Sequence, residues 1–578
     1  AASLVNFDLD MANKLLMQQD SEALVHKSLS QLLRNLRAYK PFLPGYLFCS
    51  DVGDTEPPNE DIKAAMEGQS TSQVHARRAA QRIREPGYTL SNFRDDVITA
   101  FPELTLYTYS GKAASVSEFG PTTSGLTLRE EYERTMGALF STYCLARLDM
   151  DGRELFSYGA DAAWNPLAAP EGEAVQAKKR QAFHDSDIWA GMAQLMIRAD
   201  LLREEPSGAP TVNIDRMTSF LVLTAVHDVM KNSSLLPTVQ KKMAPFKGYA
   251  AGEVISDHDA ALSYLMECFP SLLPSYNVLE PGQRASILFT QSRINFNNGW
   301  FVQGEAPAGA MLSAFKSVIT NGGASEADVN FYFAHWITDL AGAEPYGDRP
   351  WPGSEKFVVK FPLRVLSSFL ESFAFVDRLA SVSEVDVVEA YLESRWSDLG
   401  LSSLAVAEGC QPAARRLALM AQGFEAGVVS ALHALPPTDR DLIALELARS
   451  GHSQQFSGAP RALLESEPVG PALLVYYAPA LIQKAGAAHA RGALHVLAAV
   501  YRAARALFPC SALEGSAESC ITVRIDVLKV LSPPEIAAAA QWHLRQTSDI
   551  SAEAVRGPPC SEAEGPAVRT APLEIHVE

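Results

Sequence analysis

The stretch FLVLTAVHDVMKN, from Phe220 to Asn232, is the part of the sequence on which both the fold and the site depend. Most of its first ten residues are apolar or small, as in a helix that packs into a hydrophobic core. His227, Asp228 and Lys231 interrupt this apolar run. An unpaired charge in a protein interior costs several kcal/mol or is neutralised by a shift of its pKa. The segment therefore predicts a buried helix whose ionisable groups have partners.

This helix is expected to begin near Asp215, whose carboxylate can cap the first turn, and to continue through Lys231. On such a helix His227 and Lys231 are four residues apart and share one face, with Asp228 beside them. Imidazole nitrogen and carboxylate oxygen are ordinary ligands of divalent ions. A metal ion would therefore satisfy His227 and Asp228 together. A His-Asp pair that is satisfied within the core is the alternative.

A second helix of this kind is expected in SEADVNFYFAHWITDLAG, with Ser325 as its N-cap. Its polar residues recur every three or four positions, so that His335 and Asp339 lie one turn apart on one stripe. Two further segments, ISDHDAALSYLMECF and FHDSDIWAGMAQLMI, place His258 and His184 beside aspartates at expected helix starts. For His258 and His184, an ordinary acidic helix cap is the alternative to a metal site.

Helical periodicity dominates the rest of the chain. Apolar residues recur at spacings of three and four in residues 10–40, through 176–395, and in the Ala- and Leu-rich region that follows. Alternation within 103–119 and an Asp-Gly turn signal within 142–159 indicate a small sheet. The predicted fold class is mainly α: a multi-helix bundle core, a small β element in the N-terminal region and an Ala-rich helical C-terminal region.

We expect four parts of the chain: an N-terminal helical region with a small sheet, a domain that carries the histidines, a C-terminal helical domain and a disordered tail. They cover residues 1–165, 166–395, 396–555 and 556–578. A Pro- and Gly-rich loop is expected over 342–356, and long ordered loops are often functional. Glu344 in this loop is a candidate general base.

Composition limits the classes of partner. The chain has 578 residues, of which 47% are hydrophobic, and a net charge of −18 that disfavours nucleic acid and anionic lipid as partners. No window of 18 apolar residues without charges appears, so no membrane span is expected. Seven scattered cysteines without a CxxC pair predict a reducing, cytoplasmic location. Walker A, GxGxxG, GxSxG and HExxH motifs do not occur.

The segment QSRINFNNGWFVQGEAP sets amide and guanidinium groups among aromatic residues. Such groups suit a planar polar ligand such as a nucleobase. A turn-rich loop held by side-chain bonds to its own backbone is the alternative. The candidate substrate-binding residues are Arg293, Asn297, Asn298 and Gln303.

The motif HDVMK resembles the His-Asp-x-Gly-Lys signature of the HD-domain superfamily of metal-dependent phosphohydrolases, with Met230 in place of the glycine. The family fold is a helical bundle. The resemblance implies that one ion is bound by His227, Asp228 and Asp339, with His184 beside them. It implies a second ion at His258 and His335, and a role for Lys231 in steadying a substrate phosphate.

We therefore expect a metal-dependent phosphohydrolase with one or two divalent ions (Mn, Mg, Zn or Fe) and a small anionic substrate such as a nucleotide. Asp228 would help to orient an ion-bound water. A non-catalytic helical scaffold or signalling protein with a degenerate site is an alternative, which Met230 and the large C-terminal region favour. The C-terminal helices would then offer a surface to a protein partner. A di-iron oxygenase on the same fold is a second alternative hypothesis.

Overall fold

The computed structural model describes residues 73–107, 122–172, 174–206, 208–294, 296–342, 356–360, 363–465, 470–510, 520–524 and 532–536. Most of these residues are helical, which confirms the mainly α fold class. The helices are α1 (Leu90–Ala100), α2 (Leu128–Leu145), α3 (Gly152–Tyr158), α4 (Val175–His184), α5 (Trp189–Arg198), α6 (Ile214–Val226), α7 (His258–Cys268), α8 (Pro274–Asn277), α9 (Pro281–Leu288), α10 (Asn298–Val302), α11 (Ala308–Asn321), α12 (Glu326–Gly342), α13 (Leu363–Val376), α14 (Glu384–Asp398), α15 (Gln411–Ala421), α16 (Glu425–His433), α17 (Pro437–Ala448), α18 (Arg461–Glu465) and α19 (Ala478–Leu507). The strands are β1 (Leu202–Arg203), β2 (Thr211–Val212), β3 (Ala472–Tyr476) and β4 (Cys520–Arg524).

The chain divides into two compact units. The first unit comprises Ala1–Ile294 and Ala324–Leu370, and the second comprises Asn295–Gly323 and Glu371–Glu578. This division differs from the expected domains, because residues on both sides of position 165 lie in the first unit. Residues 295–323 and 371–395 belong with the C-terminal helices instead of with the expected central domain.

Helix α2 lies at the centre of the first unit, where it packs against α12 and α6. Thr127 and Glu130 close its first turn as a capping box, with 2.7 Å from the Thr127 nitrogen to Glu130 Oε2. Every residue from Thr135 to Leu145 is buried. At the crossing with α12, a Cβ atom on Gly342 would overlap the backbone nitrogen of Ala138. The absence of a side chain at Gly342 therefore lets the two backbones touch.

Helix α6 is shorter than its apolar pattern predicts. Its N-cap is Asn213, whose side chain accepts a hydrogen bond from the Arg216 nitrogen at 3.3 Å, whereas the expected cap Asp215 pairs with Arg77. The helix ends at Val226 with His227 as the C-cap residue, and a separate 3₁₀ turn covers Val229–Lys231. The expectation of one continuous helix through Lys231 is therefore wrong. The histidine lies at a helix end, where the chain changes direction.

The hairpin expected over 142–159 is also wrong, because these residues belong to α2, a turn and α3. Gly152 does not form a hairpin turn. A Cβ atom there would overlap the carbonyl oxygen of Cys144, so this glycine permits a close helix-to-helix connection. The first residues of the expected strand, from Glu103, lie in a 3₁₀ helix, Pro102–Leu106. The described residues of the first unit instead hold a two-residue antiparallel ladder in which Leu202 is paired with Val212.

The second unit is built from the Ala- and Leu-rich segments. Helices α15, α16, α17 and α19 pack on one another, and β3 pairs in parallel with β4. The side chain of Arg416 is 1% exposed and donates hydrogen bonds to the carbonyl oxygens of Gly304 (2.8 Å) and Leu447 (2.9 Å). These bonds tie residues 295–323 to the C-terminal helices, although they are distant in sequence.

Several expectations fall outside the described residues: the helix over 10–40, the rest of the 103–119 strand beyond Tyr107, most of the 342–356 loop with Glu344, and the tail 556–578. Within the part of the chain that the structure describes, no helix combines the length and the apolar character needed to cross a membrane.

Candidate metal centre

His227 is held in one orientation at the end of α6. The residue is 5% exposed, and its Nδ1 lies 2.8 Å from the carbonyl oxygen of Thr224. A carbonyl can only accept, so Nδ1–H donates this hydrogen bond. The other nitrogen, Nε2, lies 3.1 Å from Asp339 Oδ1 and 3.3 Å from Asp228 Oδ2. A histidine whose Nδ1–H is bound to a backbone carbonyl is oriented as metal-binding histidines usually are.

Asp228 is a buried carboxylate that two cationic groups keep ionised. Burial by itself would raise its pKa, but His227 and Lys231 hold that pKa well below its usual range. The ammonium of Lys231 donates to Asp228 Oδ2 at 2.7 Å and lies 3.6 Å from Glu131 Oε2. Lys231 therefore holds Asp228 in place, and its ammonium is occupied by carboxylates.

Asp339 comes from the last turn of α12 and completes a group of three. Ligand atoms of His227, Asp228 and Asp339 all lie within 4.8 Å of one another. Burial raises the pKa of Asp339, but His227 outweighs this effect and the net shift is downward. The Asp339 side chain is 30% exposed, whereas those of His227 and Asp228 are 6% and 4% exposed. Solvent therefore reaches the group from the side of Asp339.

The two further expected ligands, His335 and His258, lie beside this group. The ring of His335 meets that of His227 edge to face, with centroids 4.9 Å apart. Burial, and then the charge of His227, lower the pKa of His335 to about 3, so this ring is neutral. Its Nδ1 is buried and has no hydrogen-bond partner among the described residues. His258 Nε2 lies 4.0 Å from Asp228 Oδ1 and 3.6 Å from Asp259 Oδ2.

The helix expected to start at His258 is present, and it is capped by Asp257, whose side chain accepts from the Ala260 nitrogen at 2.7 Å. The N-terminal cap of α12 also forms as expected. The Ser325 nitrogen donates to Asp328 Oδ2 at 3.0 Å, and the Asp328 nitrogen donates to Ser325 Oγ at 3.2 Å. These local caps set where His258 and His335 lie along their helices.

His184 has different neighbours. It is the last residue of α4, not part of a helix start as expected. Its ring stacks on Tyr158 with centroids 5.2 Å apart, and its Nδ1 lies 3.0 Å from Asp185. His184 Nε2 is 3.7 Å from Glu154. The structure does not place His184 in the group formed by His227, Asp228 and Asp339.

The four expected substrate-binding residues are divided between the two units. Arg293 is exposed at the end of a short π-helix in the first unit. In the second unit, Asn297 Oδ1 accepts from the Gly299 nitrogen at 2.9 Å, Asn298 bonds Ser372 at 3.0 Å, and Gln303 donates to the Gly299 carbonyl at 3.3 Å. The Asn297 and Gln303 bonds are those of the turn alternative.

Two residues of α2, Glu131 and Arg134, also lie near the candidate metal centre. The sequence patterns did not predict them. Glu131 is fully buried; one of its oxygens accepts from Ser124, and Oε2 has no hydrogen-bond partner among the described residues. Arg134 Nη1 lies 3.5 Å from that Oε2. Burial lowers the pKa of Arg134, but Asp228 and Asp339 raise it more. The only local signal was an oppositely charged pair at an i,i+3 spacing, which many exposed helices also show.

The donor set fits a divalent ion. One imidazole and two carboxylates are suitable ligands for manganese, zinc or iron, and carboxylates for magnesium. Nε2 of His227 and the carboxylate oxygens already converge, and the exposed side of Asp339 leaves room for water or substrate as further ligands. No match to this chain was found among protein-family models, curated proteins or solved structures.

Proposed function

We propose that this protein is a metal-dependent phosphohydrolase whose ion is bound by His227, Asp228 and Asp339. The observation that carries the proposal is the convergence of three ligand atoms within 4.8 Å inside a helical unit. His227 and Asp339 are 112 positions apart in the chain, so this convergence is a product of the fold. Buried ionisable groups with shifted pKa values cluster at functional sites more often than elsewhere.

An ion at this site would replace a proton. Burial lowers the pKa of His227, but Asp228 and Asp339 raise it to about 10, so its Nε2 is protonated at neutral pH. A metal ligand must be neutral imidazole, so binding of the ion releases that proton. The hydrogen bond from Nδ1 to Thr224 is compatible with both states and keeps the ring aimed at the same point.

The chain's own residues would position the reactants. A bound divalent ion would polarise a phosphoryl oxygen of the substrate and lower the pKa of a bound water. Lys231 bonds Oδ2 of Asp228, the oxygen that faces His227 Nε2, and so fixes the carboxylate, while Oδ1 would be left to orient that water. We therefore assign Lys231 to holding Asp228, not to steadying substrate phosphate. The partly exposed side of Asp339 admits a small phosphate ester, nucleotides included.

A second candidate is a helical protein without catalytic activity, and one observation favours it. The charges of the group are already matched within the protein, since His227 lies between two carboxylates and Lys231 lies on Asp228. A buried His-Asp cluster whose charges are matched within the protein has no uncompensated charge that an ion must neutralise. In that case the group would stabilise the packing of α6 against α12.

Metal analysis of the purified protein decides between these candidates. We expect at least one stoichiometric divalent ion by elemental analysis, and hydrolysis of p-nitrophenyl phosphate or its bis-ester. His227→Gln and Asp339→Asn should lose the ion and the activity together. Two iron atoms with visible absorbance would instead favour oxygen chemistry.

The second unit provides a matched control. His495 Nδ1 lies 2.8 Å from Asp439 Oδ2, and both side chains are buried, so this is a His-Asp pair of the same burial. The His495→Gln variant should retain the ion proposed at His227, and it should retain the hydrolytic activity. Wild-type protein that binds no divalent ion, even after dialysis against manganese or zinc, would overturn the proposal in favour of the second candidate.

A further inference from the structure

Arg134 is a largely buried cation that has not used its hydrogen-bonding capacity. Its side chain is 16% exposed, and its Nε is buried without a hydrogen-bond partner among the described residues. The contact of Nη1 with Glu131 Oε2, at 3.5 Å, is longer than a good hydrogen bond. A buried N–H group such as that of Nε is energetically unfavourable when it has no partner. Such an unpaired donor is expected where a bound ligand supplies the missing hydrogen-bond acceptor.

The guanidinium lies in the field of the candidate metal ligands. Burial lowers the pKa of Arg134, and the strongest opposing effects come from Asp228 and Asp339, so the net pKa is raised. Lys231, the other cation nearby, already donates to Asp228 at 2.7 Å. Arg134 is thus the cation beside the candidate metal group that still has an unused N–H donor.

Glu131 acts as a positioning residue for this cation. It is fully buried one helical turn before Arg134, and Ser124 holds one of its oxygens. Its other oxygen, Oε2, faces Arg134 and Lys231 at 3.5 and 3.6 Å. At these distances the carboxylate balances charge while leaving the N–H groups of Arg134 free to bond a ligand.

We propose that Arg134 binds the non-bridging phosphoryl oxygens of the substrate beside the ion, an inference that rests on the proposed function. A planar guanidinium can donate two parallel N–H bonds to a phosphoryl group, which an ammonium cannot reproduce. Arg134 takes the role that the sequence motif suggested for Lys231. It selects for a tetrahedral oxyanion over a neutral substrate.

Binding of inorganic phosphate tests this role in the full-length protein loaded with the ion that elemental analysis finds. Arg134→Gln should weaken phosphate binding by about tenfold to a hundredfold in calorimetry, because it removes charge-assisted hydrogen bonds. KM for p-nitrophenyl phosphate should rise more than kcat falls. Arg134→Lys, which keeps the charge, should give a smaller loss, and the content of bound ion should not change in either variant.

Arg129→Gln is the matched control on the same helix, since Arg129 is 70% exposed and pairs with Glu133. It should leave phosphate binding as in the wild type. Metal-loaded Arg134→Gln and Arg134→Lys that both bind phosphate like the wild type would refute the role of Arg134 while leaving the proposed function intact. Wild-type protein without bound ion would refute the proposed function itself. If Arg134→Gln does not fold, Arg134→Lys decides alone, with wild-type phosphate affinity counting against the inference.

Discussion

In the proposed metal centre, His227 Nε2 is the atom for which a proton and the divalent ion would compete. The carboxylates of Asp228 and Asp339 face this nitrogen, and Lys231 forms an ion pair with Asp228. The neutral ring of His335 packs against the His227 ring edge to face. The protonation state of His227 would therefore report whether the proposed ion is bound.

The first prediction concerns the pH dependence of stability in the presence of a chelator. The pKa of His227 is about 10 in the folded chain against an ordinary value of 6.5, because the attraction of Asp228 and Asp339 outweighs the opposing effect of burial. A raised pKa contributes stability that is fully present below pH 6.5 and is lost as pH rises through 10. We expect the free energy of unfolding to fall over this window, by at most about 1.4 kcal/mol per pH unit.

Urea titrations at about pH 6, 8 and 10 measure this effect, and His227→Gln should show a flatter profile because it has no proton to lose. The difference between the two profiles removes the contributions of ionisable groups that lie far from His227. Profiles that run parallel for the two proteins would show that His227 carries no stabilising proton.

The crossing of α2 and α12 is the contact between elements that assembles the site. Gly342 lies one turn after Asp339, and its hydrogen in place of a side chain lets α12 touch the backbone of α2 near Ala138. The same crossing brings Arg134 towards Asp339, since the Arg134 carbonyl also lies against Gly342. The positions of one candidate metal ligand, Asp339, and of the substrate-binding candidate Arg134 therefore depend on a single close approach.

The second prediction is that Gly342→Ala destabilises the protein by about 1–3 kcal/mol, the usual range for overpacking. It should also weaken binding of manganese or zinc, because Asp339 is moved with its helix turn. Urea denaturation and calorimetry measure the two effects. Gly282→Ala in α9 is the control, since a Cβ atom there meets nothing within 4 Å. Wild-type stability in Gly342→Ala would mean that the two backbones do not touch.

At the scale of the whole molecule, the chain passes between its two units more than once. Residues 295–323 leave the first unit, join the C-terminal helices and are followed by α12, which belongs to the first unit again. Within the second unit Arg416 secures this excursion by bonds to the carbonyls of Gly304 and Leu447. The candidate metal centre, in contrast, is formed by residues of the first unit.

The third prediction follows from this division. Arg416→Met leaves buried carbonyl oxygens unsatisfied, each at about 1–3 kcal/mol, and should lower the unfolding temperature of the second unit. The number of divalent ions bound per chain should stay the same. Differential scanning calorimetry and elemental analysis of the full-length variant measure both quantities. Loss of the bound ion in Arg416→Met would show that the metal centre depends on the second unit.

Local patterns were enough to predict the class of fold and two of the helix starts. Caps such as Ser325 with Asp328, and Asp257 before His258, are made within one helical turn, so the sequence shows them directly. The apolar pattern was less informative about where a helix ends. The apolar run through Phe220 continues past Val226, where α6 ends, so the run does not reveal the end of the helix.

The sequence by itself determined a mainly helical protein with a buried His227–Asp228 pair, because periodicity and capping act over three or four residues. The resemblance of the motif had already suggested that Asp339 would lie with His227 and Asp228. Only the tertiary structure decided the distances within this group, the presence of Glu131 and Arg134 beside it, and the place of His184 among other neighbours. The physical reason is that helix crossings are set by close packing between residues distant in sequence. No local pattern records which glycine allows one backbone to touch another.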